Sequence, residues 1–158
     1  YGMAFHKNSY VGRTFIKPKQ SDRESSVKIK LNVIPEVVKG KRLVMVDDSI
    51  VRGTTCANII KMLKSAGAKE VHVRISAPPF LYPCYFGTDV PSDEQLIAHS
   101  HTADEIREMI GADSLGYMEV SRLRDMVGDL KFCDACFTGN YPMEVPNRDI
   151  SHAFEEEY

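Results

Sequence analysis

Two adjacent carboxylates, Asp47 and Asp48, follow the apolar run Leu43-Val44-Met45-Val46 and precede a turn of small and polar residues ending at Thr54-Thr55. The apolar run, with two β-branched valines, predicts a strand buried on both faces. Beyond the turn, Ile59, Ile60, Met62 and Leu63 recur at helical spacing, and Gly67 stands where a C-terminal cap is expected. A strand, a polar turn and a helix bring backbone N–H groups and a helix dipole onto a phosphate. Open α/β sheets bind their ligands at this same carboxyl edge. Gly53 lets the backbone approach a phosphate without a Cβ in the way. Thr54 and Thr55 offer hydroxyls beside first-turn amides, and Ser49 and Arg52 complete the turn. The two acids would repel that phosphate, so they are expected to face sugar hydroxyls or a Mg²⁺ ion carried by the substrate. A phosphate and a diol served from one loop suggest a ribose 5-phosphate. The alternative is an ordinary polar turn with solvated acids, but adjacent acids straight after a buried strand are unfavourable unless used.

The elements that must hold this loop are readable in outline. At 158 residues the chain can bury one core, and no second full domain fits. A net charge of −2 and a pI near 6.2 argue against nucleic-acid binding. No apolar run nears the roughly 18 residues of a membrane span and no secretory leader is recognisable, so the expected location is the cytoplasm. The opening Tyr1-Gly2-Met3 reads as already inside folded sequence, as in a piece of something longer.

Residues 1–5 could be a strand end or an extended lead-in. Residues 7–32 are basic (Lys7, Arg13, Lys17, Lys19, Arg23, Lys28, Lys30) and broken by Pro18, the composition of either a solvated loop or a lid that closes over an anion. Residues 33–39 suggest a short helix or turn. Val71 to Ile75 alternates as the next strand of a right-handed βαβ unit, with His72 and Arg74 facing away from the deepest core. Ala77-Pro78-Pro79-Phe80 then begins a loop at the same edge as the two acids. Helical patterns follow at 93–99 and 103–110, with capping-box spacing at Ser92/Gln95 and Thr102/Glu105. A last strand is expected at 114–118, a helix at 120–127, and loop over 129–148. His99 and His101 lack a third ligand and read as an exposed turn between helices. Cys133-Asp134-Ala135-Cys136 has the bite of a metal or redox clamp, and zinc, a redox pair and accident all fit one such motif.

The stretch Val46 to Thr55 resembles the phosphoribosyl pyrophosphate (PRPP) motif of type I phosphoribosyltransferases. In its Ser49-Ile50-Val51-Arg52-Gly53 wording it is similar to the amidophosphoribosyltransferases. Lys7 to Ile16 resembles that family's KNRYVGRTFI segment, with Ser9 where Arg is usual. Leu96-Ile97-Ala98, Glu105-Ile106-Arg107, Ile110 to Asp113 and Cys136 to Pro142 also fall in the family's order. The resemblance implies an α/β fold: a type I phosphoribosyltransferase sheet flanked by helices and incomplete at the N-terminus. It divides the chain into a partial transferase domain, 1–128, with a PRPP lid at 7–32, and a cysteine-containing extension, 129–158.

It also implies a reaction, displacement of pyrophosphate from C1 of PRPP by ammonia drawn from glutamine, giving 5-phosphoribosylamine in purine synthesis. Asp47 and Asp48 would hold the ribose and Mg²⁺, while Arg52 to Thr55 grip the 5′-phosphate. Arg13 and Lys30 would meet the pyrophosphate, Lys7 would lie near a purine-nucleotide feedback site, and Ile16 would line the ammonia path. Cys84, Cys133 and Cys136 match three ligands of the family's four-iron, four-sulfur cluster, the fourth lying before Tyr1. Cys56 is outside that pattern and reads as a small buried residue. No counterpart of the family's glutaminase half is present, and a homo-oligomer is expected. Another PRPP-binding transferase or PRPP-sensing regulator, or an inactive fragment, are the alternatives.

Overall fold

The computed structural model describes residues 1–7, 31–87 and 92–145. Strand β1 (Phe5–Lys7) pairs antiparallel with β2 (Leu31–Val33), Phe5 opposite Val33. One helical turn, α1 (Pro35–Val38), follows, its proline supplying a preset φ at the start and Val38 wholly buried. Next come β3 (Arg42–Asp47), α2 (Thr54–Ser65) and β4 (Glu70–Ile75), with β4 parallel to β3 and Ile75 opposite Asp47. This is the expected βαβ unit, and Gly67 closes α2 in a left-handed conformation. A 3-10 turn (Asp93–Gln95) leads into α3 (Ile97–Ser100), α4 (Ala103–Ile110) and β5 (Ser114–Tyr117). The last elements are α5 (Val120–Val127) and α6 (Ala135–Thr138), a single turn where the sequence suggested only loop. The parallel sheet runs β3-β4-β5.

Spacing explains the packing. Cys56, Ile60 and Leu63 share one face of α2, and Ile106 and Ile110 one face of α4. These meet Val71, Val73 and Ile75, the alternate residues of β4, in one contiguous core. Thr102 and Glu105 form the expected capping box. Ser92 and Gln95 do not: no side chain caps that turn, and the Gln95 N–H donates to the Ser92 carbonyl instead.

The expectation that β3 is buried on both faces is wrong. Leu43 and Met45 face the core, but Val44 and Val46 are 68% and 72% exposed. Among the described residues the apolar core lies on one side of the sheet, and the other side carries polar groups. There Glu70 accepts from Arg42 and from His72 Nε2, while Ser114 Oγ is hydrogen-bonded to His72 Nδ1 at 2.9 Å and accepts from Arg74. An unbroken apolar run does not itself say which faces are covered.

The two sides of the sheet should therefore respond differently to truncation. Ile60→Ala is expected to cost about 2–5 kcal/mol and Val46→Ala less than about 1 kcal/mol in urea unfolding. Equal costs would contradict a one-sided core.

Candidate functional site

The site grows from the carboxyl end of β3. The Asp47 and Asp48 carbonyls accept the Ser76 and Ala77 N–H groups, each at 3.0 Å, so the pair is stitched to the chain leaving β4. Asp47 Oδ1 accepts the Asp48 N–H at 3.0 Å, and Asp48 Oδ1 accepts the Ser49 hydroxyl at 2.8 Å. Asp47 is half-buried and Asp48 exposed. Burial pushes the Asp47 carboxyl above its usual range; the Asp48 N–H opposes this, and the Asp48 charge adds to it. A half-buried acid beside a second acid gains from a cation or from hydroxyl donors.

Beyond the acids the loop is pinned from below. Ile50 is buried in the core, and the Val51 carbonyl accepts the Ile97 N–H of α3 at 2.9 Å. Gly53 is buried at φ +78°, and a Cβ there would meet Ile97 Cδ1 at 3.0 Å and Ile110 Cγ2 at 3.5 Å. The glycine is thus demanded by the left-handed turn and by the interior beneath it, a reason beyond close phosphate approach. Gly53 is the N-cap of α2, and no side chain caps that end. Thr54 and Thr55 are exposed in the first turn, and the first helical N–H bond, Ala57 to the Gly53 carbonyl, is 2.9 Å. The preceding amides have no acceptor within the helix, and the positive end of its dipole lies among them with the exposed Arg52 alongside.

Beneath the loop the groups are neutral. Burial, then the nearby Asp47 charge, pushes the Cys56 thiol up to about 12, and Cys56 packs in the core on the inner face of α2. The Tyr117 hydroxyl is buried with no hydrogen-bond partner, and its pKa rises to about 12 through burial and the nearby Cys56.

The cysteine segment docks on the loop after β4. Leu81 and Tyr82 donate their N–H groups to the Cys136 carbonyl at 2.9 and 3.0 Å, and the Tyr141 hydroxyl donates to the Pro83 carbonyl at 2.8 Å. The Phe80 and Phe137 rings lie 5.0 Å apart. Burial, then the neighbouring Cys84 and Cys133, raises the Cys136 thiol to about 11. The three thiols are neighbours, yet among the described residues no three His, Cys, Asp or Glu side chains are arranged to hold a metal.

The structure thus brings Asp47, Asp48, Ser49, Arg52, Gly53, Thr54 and Thr55 into one loop. Lys7 ends β1, its side chain outside the described residues, where Arg13, Lys30, Ser9 and Ile16 also fall. His99 and His101 each place Nδ1 against a backbone carbonyl: His99 Nδ1 donates to Leu81 at 2.8 Å, and His101 Nδ1 lies 3.2 Å from the Ile97 carbonyl. Sequence reasoning placed the Ala77 loop at this edge but missed the ties of Ser76 and Ala77 to the acids and of Ile97 to Val51, which cross 29 to 46 positions of chain and leave no local signal. An open groove of about 400 Å³ between α2 and α4, lined by Lys61, Lys64 and Gly111, holds none of the expected site residues. Lys64 there is paired with Asp113 at 3.2 Å, and the C-terminal end of α4 disfavours an anion.

No protein-family profile matches the chain. An amidophosphoribosyltransferase of Archaeoglobus fulgidus is 54% identical over 147 residues, 90% of this chain and 32% of the relative. That of Bacillus subtilis is 52% identical over 151 residues, 92% of this chain and 32% of the relative. The chain is homologous to part of the amidophosphoribosyltransferases. It spans about a third of the length of these amidophosphoribosyltransferases. A solved structure described as the allosteric regulatory enzyme of purine biosynthesis matches with a TM-score of 0.78 and 52% identity, over 94% of this chain and 33% of that one. The Bacillus subtilis glutamine PRPP amidotransferase complexed with ADP and GMP matches at 0.77 and 50%, over 94% and 34%. The parallel sheet and its helices are accordingly part of a type I phosphoribosyltransferase fold.

The Asp47 shift has a measurable consequence. A folded-state pKa above the unfolded value gives stability that is complete below about pH 4 and lost as pH rises through the folded value. Asp47→Asn, which keeps the Oδ1 acceptor, is expected to raise the thermal midpoint at pH 7 and flatten the loss above pH 4. A lower midpoint at pH 7 would contradict the burial argument.

Proposed function

We propose that the chain binds PRPP at the β3–α2 loop and serves the transfer of ammonia, released from glutamine, to C1 of PRPP with loss of pyrophosphate. The observation that carries this reading is the division of charge within one loop. Uncapped first-turn amides and the exposed Arg52 stand at the start of α2 for a phosphate, and the carboxylate pair Asp47 and Asp48 precedes them in the same loop for the hydroxyls of the same sugar. That loop belongs to a chain about half identical to amidophosphoribosyltransferases over nine-tenths of its length.

Displacement at C1 passes through a state with oxocarbenium character, for which positioning and electrostatics suffice. Thr54, Thr55 and the α2 amides hold the 5′-phosphate, Ser49 and Arg52 close the loop around it, and the carboxylates orient the ribose. A Mg²⁺ ion fits the acid pair, because Asp47 carries a charge that its surroundings penalise. Asp47 and Asp48 would hold the ion, which supplies charge neutralisation for the leaving pyrophosphate. Arg13 and Lys30 are assigned to that pyrophosphate and Lys7 to a purine-nucleotide inhibitor. The Bacillus subtilis relative's complex with ADP and GMP supports a nucleotide site of this kind. Residues 129–158 are assigned as an extension bearing the sulfur ligands. The donors Cys84, Cys133 and Cys136 suit an iron–sulfur cluster chemically, but among the described residues their arrangement falls short of a ligand set.

Isothermal titration with PRPP and Mg²⁺ tests the site. The chain should bind, and Asp47→Ala/Asp48→Ala should weaken binding by about 100-fold or more, at about 1.5–3 kcal/mol per charged hydrogen bond. Equal affinity in the two proteins would refute the assignment. Ammonia-dependent release of pyrophosphate by the wild-type chain would separate catalysis from binding alone.

A further inference from the structure

The cysteine segment and the phosphate loop are joined by a short run of hydrogen bonds that passes through α3. The Cys136 carbonyl accepts the Leu81 N–H at 2.9 Å; the Leu81 carbonyl accepts His99 Nδ1 at 2.8 Å; and, two residues before His99, the Ile97 N–H reaches the Val51 carbonyl at 2.9 Å. Ile97 Cδ1 also stands closest to where a Gly53 side chain would project, so α3 rests on the loop's tightest point. Packing supports both ends. Gly139, just after α6, leaves room only for the Tyr82 ring, 3.1 Å from its hypothetical Cβ, and the Phe80 and Phe137 rings touch beside it. Among these links, the bond from α3 to the post-β4 loop is made by a side chain, His99; the others are backbone bonds.

We propose that His99 is a positioning residue: through its bond to Leu81 it fixes α3, and with it the Val51–Gly53 turn, against the segment that carries Cys133 and Cys136. This rests on the reading of the loop as the PRPP site. The role differs from the metal ligation that two close histidines suggest. His99 holds the helix against which the phosphate turn is formed. Linkage then requires the coupling to run both ways. Occupancy of the loop alters the exposure of the cysteine segment, and a loosened segment weakens the loop.

Two readouts on the full chain test this. PRPP affinity is measured by titration, and alkylation of the exposed Cys133 by iodoacetamide is followed peptide by peptide, with and without PRPP. In the wild type, saturating PRPP should slow Cys133 alkylation about threefold or more. His99→Ala should weaken PRPP binding by roughly 3- to 10-fold, the scale of one hydrogen bond, and abolish the PRPP effect on Cys133. His99→Asn, whose amide can donate in place of Nδ1, should restore both, which a merely structural role would not require. Should His99→Ala fail to fold, Ile97→Val, which trims the Cδ1 over Gly53, carries the same prediction. Unchanged affinity and unchanged protection in the folded variant would overturn the coupling and leave the PRPP site standing. A wild-type chain that does not bind PRPP would overturn the site reading itself, and this inference with it.

Discussion

Everything in this molecule turns on a helix that starts without a cap. Strand β3 ends in Asp47, and six residues later α2 begins from a left-handed Gly53, with no side chain satisfying its first amides. Unsatisfied amides at a helix start are costly when buried and useful when exposed, because they are ready-made anion donors. The fold holds that end open: the turn is tied to α3 through Val51 and Ile97, and the acids are tied to the chain after β4 through Ser76 and Ala77. A cap residue in place of Gly53 would meet Ile97 and Ile110 and force the turn apart.

The acid pair is the second half of that constraint. An Asp half-buried beside another Asp is a group the folded chain would stabilise better if it were neutral. Such placements cluster where a ligand supplies the missing charge, so the same local cost that weakens the free chain favours the loaded one. The neutral layer of Cys56 and Tyr117 beneath keeps competing charge away, although the unpartnered Tyr117 hydroxyl is itself a cost.

Much of this was legible in the sequence. The strand–turn–helix order, the capping box at Thr102 and Glu105, the Gly67 cap and the buried Cys56 all follow from local spacing and residue type, and each holds. Three features were not. Covering of β3 on one side depends on which layers pack against it, and no periodicity in Leu43 to Val46 carries that information. The α6 turn at Ala135–Thr138 is too short to leave a helical pattern. The ties of Ile97 to Val51 and His99 to Leu81 join segments distant in sequence, and so they become visible only once the chain is folded.

The central claim, that the uncapped start of α2 is a phosphate seat, is tested most directly by titrating the ¹⁵N-labelled chain with ribose 5-phosphate and following its amide resonances. The account predicts the largest shifts at Gly53, Thr54 and Thr55, saturating together and absent with ribose alone. Shifts concentrated in the groove of Lys61 and Lys64, with the Gly53–Thr55 amides unmoved, would contradict it.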